Sequence, residues 1–203
     1  MATGRFFKKR RILFTRVFAA ALGVLLLFSS SRWEAVELYS TIIFAVGAVM
    51  VGVATVGRLW CNLYICGRKS SELITVGPYS MCRNPLYFFS LIGAVGVGLT
   101  TETISIAVLL LIVFSIYYPF VIRSEEKHLA EMHGPRYQQY RQNTPSFVPS
   151  LRRFNEPDEY IVKAALFRKS LFDAMWFVWL IGILEIIEAL HEAQILPVYF
   201  RLY

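Results

Sequence analysis

Charge and cysteine are the scarce ingredients of this chain. Of its 203 residues, 17% are charged and three are cysteine, whereas 56% are hydrophobic. Soluble domains carry about 25% charged residues and about 45–50% apolar ones, so both departures point to a membrane protein. A mean hydropathy of +0.51 points the same way. With 12 glycines and 8 prolines, collagen-like and disordered classes are excluded, and three cysteines exclude a disulfide scaffold. Cys61 and Cys66 are separated by four residues with no nearby histidine, which is not a zinc spacing. They close an apolar segment and are expected to be small buried or interfacial residues. No A-x-A cleavage site follows the basic, apolar N-terminus, so an uncleaved anchor is expected there. Phe200-Arg201-Leu202-Tyr203 is no prenylation box.

What is abundant is uninterrupted apolar sequence. A helix crossing the hydrocarbon core needs about 20 such residues. Ile12–Ser29 and Leu38–Val56 are two candidates, and Leu86–Leu99 with Ile104–Ile122 reads as a tight helical hairpin. Leu171–Leu190 is a fifth, which carries Asp173, Glu185 and Glu188 and either spans or lies in the interface. The expected fold is therefore all-α, a polytopic bundle of about five transmembrane helices with hairpin 86–122. Its parts are residues 1–57 with two spans, a core at 58–150, and a C-terminal extension at 151–203.

The net charge of +7 is explained by position. Residues 1–11, 58–85 and 123–169 hold 18 of the 21 basic residues, leaving Arg32 and Arg201 opposite and Arg16 within a span. Cytoplasmic loops carry such an excess. The N-terminus and both polar segments are thus expected in the cytoplasm, with the chain in a bacterial inner membrane and no nucleic acid as partner. Gly93-Ala94-Val95-Gly96-Val97-Gly98 lies inside an apolar helix, outside any strand-to-helix turn, so it reads as helix packing and not as a phosphate loop. Gly47 and Gly52 are expected to pack in the same way. Glu185, Glu188, His191 and Glu192 form a helical stripe with one Glu-x-x-His element; a carboxylate-bridged metal site needs two, so no metal is expected.

Chemistry is expected in the two polar segments. In the first, Gly77-Pro78 is a turn and Pro85 suits the first turn of the third span. In the second, Leu129, Met132 and Tyr137 continue the fourth span as an amphipathic stretch until Gly134-Pro135 interrupts it, and Tyr137, Tyr140 and Phe147 approach the interface. Taken singly, Glu125-Glu126 reads as a solvated ion-paired face, Arg83 as a headgroup anchor, and Tyr79 and Tyr87 as interfacial aromatics.

Taken together, Gly77-Pro78-Tyr79, Arg83-Asn84-Pro85-Leu86-Tyr87, Glu125-Glu126-x-x-Leu129, Gly134, Tyr137, Tyr140 and Pro149 resemble the integral-membrane methyltransferases, the family of isoprenylcysteine carboxyl methyltransferases and phospholipid methyltransferases. The resemblance covers roughly Ser71–Pro149. It implies S-adenosylmethionine as cofactor and a lipid or lipid-like substrate reached from the bilayer, with a carboxylate, phosphate or amine headgroup. It implies further that Leu73 and Ile74 flank the adenosine and that Tyr79 closes over the cofactor. Asn84, Pro85, Leu86 and Tyr87 would line it, and one acid of Glu125-Glu126 would hold a polar end. Arg83 or Arg123 is expected to bind the cofactor carboxylate or an anionic substrate, and both are the candidate catalytic residues. Asn84 stands where the family usually has histidine; it keeps a donor and an acceptor but cannot titrate. Two other functions fit the residues: a nicotinamide-dependent membrane reductase with a related core, and a non-catalytic membrane scaffold with a degenerate site.

Overall fold

The computed structural model describes residues 16–33, 36–68 and 72–203. Among the described residues six α-helices carry the fold: α1 (Arg16–Leu27), α2 (Glu37–Ile65), the short α3 (Pro78–Met81), α4 (Pro85–Leu99), α5 (Ile104–Asn143) and α6 (Ala164–Glu192). The architecture is an all-α membrane bundle. α2, α5 and α6 are long and apolar enough to cross a bilayer, whereas α1 and α4 are shorter apolar helices. The start of the first expected span, and the basic cluster before it, lie outside the described residues. At 15 residues, α4 is about 22 Å long, less than the hydrocarbon thickness. It is packed against α2, α5 and α6. The outer faces stay apolar, with Leu38, Val49, Val56, Ile116, Phe120, Phe172 and Ile186 exposed, as lipid-facing helices require.

Close packing of α2 on α4 comes from small residues. A Cβ at Gly47 would lie 2.7 Å from the Gly96 carbonyl oxygen, and one at Gly96 would lie 2.9 Å from that of Gly47, so the backbones cross directly. Gly52 behaves differently from expectation: nothing lies within 4 Å of its Cβ position, because it sits on the outer face. Deeper in the bundle, Arg58 of α2 donates from Nη1 to Ser90 Oγ of α4, and its guanidinium carbon lies 5.4 Å from the Phe177 ring of α6. A half-buried cation is thus held by three helices at once.

One expectation is borne out and one is corrected. Gly134-Pro135 interrupts the helix as expected: Gly134 leaves helical geometry at φ 50°, ψ −124°, and a second helical stretch follows as far as Asn143. On that stretch Tyr137 and Tyr140 turn inward and are buried, 1% and 9% exposed, where interfacial exposure was expected. A feature the sequence pattern did not announce closes the other end of the bundle. Ser29–Ser31 (β1) pairs in parallel with Phe200–Leu202 (β2), and Ser105 N donates to the Tyr203 carbonyl at 2.6 Å. Two extended segments leaving helices at the same level satisfy their backbone groups on each other.

Candidate functional site

At the end of the bundle opposite the strand pair, the chain leaves α2 and returns to α4 through an extended segment and one helical turn. Gly77 takes φ 60°, and its N–H donates to the Asn155 carbonyl at 2.8 Å. A side chain there would run into the Tyr64 ring. This turn starts α3 and sets Tyr79, whose carbonyl accepts from the Tyr140 hydroxyl at 2.6 Å. Burial pushes the Tyr79 phenol well above its ordinary pKa. Burial likewise pushes the Cys82 thiol up to about 12, which keeps it an uncharged thiol at neutral pH.

α4 begins at Pro85, with Asn84 as its N-cap residue. Asparagine is among the best N-cap residues, yet Asn84 makes no side-chain capping bond. Its Nδ2 donates to Glu126 Oε1 at 3.1 Å and to the Ser146 carbonyl at 3.0 Å. Both partners are acceptors only, which fixes the amide orientation and leaves Oδ1 without a partner among the described residues. Arg83 is spent in the same region. Its Nε and Nη2 donate to the two oxygens of Glu126 at 2.8 and 3.3 Å, and Nη1 donates to the carbonyls of Arg141 and Thr144 at 2.9 and 2.7 Å. The side chains of this pair are 10% and 14% exposed. The fork of Arg83 therefore clamps the chain after the Gly134 kink onto the start of α4.

These elements enclose a cavity. Leu73, Ile74, Tyr79, Arg83, Asn84, Leu86, Tyr87 and Glu125 line it, together with Ile65, Glu72, His128, Leu129 and Tyr140. Pro85 is buried at the helix start and does not line it. Of the two neighbouring acids, Glu125 faces this cavity, whereas Glu126 and Arg123 line a separate groove between α4 and α5. Sequence reasoning had not placed Ile65, Glu72, His128, Leu129 or Tyr140 at the site. His128 was findable, since it follows Glu125 by one helical turn and shares its face. Leu129 and Tyr140 were already in the motif that carries the resemblance, but that Tyr140 enters the cavity depends on the helical stretch beyond Gly134.

Chemically the cavity is divided. One part is aliphatic and aromatic, and the other carries the carboxylates of Glu72 and Glu125 with the unpartnered Asn84 Oδ1. Such walls suit an amphipathic molecule with hydrogen-bond donors at one end.

Comparison with known proteins shows the family. The family described as phospholipid methyltransferase matches residues 39–136, which include both arms of the cavity up to the kink. The chain is 40% identical over 197 residues to the nickel-cobalt-cadmium resistance protein NccN of Alcaligenes xylosoxydans xylosoxydans, covering 97% of this chain and 92% of that one. It is 37% identical over 195 residues to the cobalt-zinc-cadmium resistance protein CzcN of Cupriavidus metallidurans, covering 96% and 89%. No solved structure matches the chain significantly. With the matched region holding every lining residue of the cavity except Tyr140, and its relatives aligned almost end to end, this chain belongs to the phospholipid methyltransferase family of membrane proteins.

Proposed function

We propose that this protein is an S-adenosylmethionine-dependent methyltransferase of the bacterial inner membrane, acting on a lipid or lipid-like substrate with its cavity on the cytoplasmic side. The observation that carries the reading is the single cavity joining Leu73, Ile74, Tyr79, Asn84, Leu86, Tyr87 and Glu125, drawn from segments forty residues apart in sequence. Its acceptor set fits the cofactor. The Glu125 and Glu72 carboxylates and Asn84 Oδ1 accept from an ammonium group or ribose hydroxyls, Leu73, Ile74 and Leu86 offer apolar contact to a base, and Tyr79 with Tyr87 encloses the centre. S-adenosylmethionine, when bound, supplies an electrophilic methyl group on a sulfonium.

The protein's task in such a displacement is positioning. Tyr79, held through its carbonyl by Tyr140, keeps water from the cavity. The Arg83–Glu126 clamp fixes the α4 start, and with it Asn84 and Tyr87, so Arg83 is a positioning residue. Arg123, in the neighbouring groove, is available to a substrate headgroup. The excess of basic residues around the cavity end supports a cytoplasmic placement. The relatives' names refer to resistance to nickel, cobalt, zinc and cadmium, and we propose that methylation by this chain serves tolerance of such cations.

The deciding experiment is titration of the detergent-solubilised full chain with S-adenosylmethionine, with NADPH as a parallel arm. Wild type should bind S-adenosylmethionine, and Glu125→Ala should weaken it roughly tenfold or more, because a charged hydrogen bond contributes about 1.5–3 kcal/mol. Radiolabel should then pass from the methyl group to lipid extract. Binding of NADPH alone would identify a reductase. Binding of neither ligand by folded protein would leave a scaffold.

A further inference from the structure

The groove between α4 and α5 is a second concavity, and it lies back to back with the first. Leu91 of α4 and Phe114, Tyr118 and Ile122 of α5 line its apolar part, while Arg123 and Arg141 stand at its polar end. Three features form the wall it shares with the cavity. Arg83 lines both sides. Asn84 of the cavity is bonded to Glu126 of the groove at 3.1 Å. The ring of Tyr87, in the cavity, lies 5.1 Å from that of Tyr118, in the groove. The partition is a single side chain at Arg83 and a pair of contacting side chains elsewhere.

Charge in the groove is lopsided. Glu126 is matched by Arg83 through two bonds. Arg123 and Arg141 have no carboxylate within ion-pair distance among the described residues. Two guanidinium groups are left over at the polar end, above an apolar channel. From Ser115 to Arg123 the groove follows nine residues of helix, or about 12 Å.

We infer that this groove binds an anionic amphiphile, its chain against Leu91, Phe114 and Ile122 and its carboxylate or phosphate head against Arg123 and Arg141. Guanidinium groups favour both heads through charge-assisted hydrogen bonds, and they disfavour an ammonium head. The binding stands on the groove itself. That the bound amphiphile is the methyl acceptor rests on the proposed methyltransferase reading, for which the thin partition supplies the proximity.

The test is titration of the full chain in neutral detergent at pH 7.5 with dodecyl phosphate, dodecanoate and dodecylamine, each below its micellar concentration. At least one anionic amphiphile should bind tenfold or more tightly than the amine, and comparing the two anions separates a phosphate from a carboxylate source. The double variant Arg123→Gln with Arg141→Gln should lose at least tenfold in anion affinity while binding S-adenosylmethionine as wild type does, which doubles as the check on folding. Equal binding of the amine, or unchanged anion affinity in the double variant, overturns the inference. Failure of wild type to bind S-adenosylmethionine would remove the methyltransferase reading instead; folding would then be judged by thermal unfolding, and the amphiphile titration would still decide the groove.

Discussion

The bundle has two ends, and they are closed by different kinds of bond. Where α1 stops and α4 turns into α5, a main-chain ladder leads the closing: β1 pairs with β2, and Arg32 N donates to the Leu202 carbonyl at 2.8 Å, with side chains such as Ser31 Oγ, which donates to the Glu102 carbonyl at 2.8 Å, adding to it. Where α2 gives way to α3, side chains reach across long sequence separations. Arg83 meets Glu126, Tyr140 reaches the Tyr79 carbonyl, and the Tyr160 hydroxyl reaches the Tyr64 carbonyl at 2.8 Å. A backbone ladder tolerates many side chains but encloses little. A side-chain scaffold can surround a void, and each of its members then bears more of the load. The same fold thus concentrates its sensitivity at the end that has the cavity.

The sharpest way to break this contrast is Arg83→Ala. The pair it forms with Glu126 is largely buried. Removing one partner of such a pair leaves an uncompensated charge and costs about 3–5 kcal/mol. Thermal unfolding in detergent should fall steeply, and S-adenosylmethionine binding should be lost with the α4 start. A melting temperature within a degree or two of wild type would mean that the clamp is ornamental.

A smaller effect is expected from Gly96→Ala, toward the strand-paired end. The added Cβ would lie 2.9 Å from the Gly47 carbonyl oxygen and from Met50 Cβ, and 3.0 Å from Val51 N, so two helix backbones must separate. Overpacking of this kind costs about 1–3 kcal/mol. Stability should drop while the folded fraction binds S-adenosylmethionine with unchanged affinity, since the crossing lies away from the cavity. Lost affinity at full folding would show the ends to be coupled.

How much of this was legible beforehand follows the range of the interactions. The hairpin of α4 and α5 could be read because apolar runs and the Thr100–Thr103 break are local signals. The two arms of the cavity could be read because their motifs are short and ordered. Glu125 and Glu126 could not be separated by sequence: neighbours on a helix differ by about 100° in direction, and only packing says which faces the cavity. Tyr140 was legible as a motif residue, but its entry into the cavity was not, because it depends on the direction of the helical stretch that follows the Gly134-Pro135 interruption. The β1–β2 pairing joins segments about 170 residues apart with no strand periodicity, so no local pattern marks it.

The smallest expected effect is the most discriminating, and it concerns Asn84. Both of its amide hydrogens are engaged by Glu126 and the Ser146 carbonyl, so the atom left for a ligand is Oδ1, an acceptor at every pH. In Asn84→His, a neutral imidazole can donate one N–H to Glu126 and offer its other nitrogen as the acceptor. S-adenosylmethionine affinity near pH 8 should therefore change by less than about 0.5 kcal/mol. The loss of the second bond, to Ser146, falls within the range of a single net hydrogen bond. Protonation converts the free nitrogen from acceptor to donor, so affinity in the variant should fall as pH drops through the imidazole pKa. That pKa is ordinarily about 6.5 and should be raised by the Glu126 carboxylate. Wild type has no titrating group at this position, and the ratio of wild-type to variant affinity should grow toward acid pH. A ratio that stays flat from pH 8 to pH 5.5 would show that the ligand donates no hydrogen bond to position 84, and would reduce Asn84 to a strut of the Arg83–Glu126 clamp.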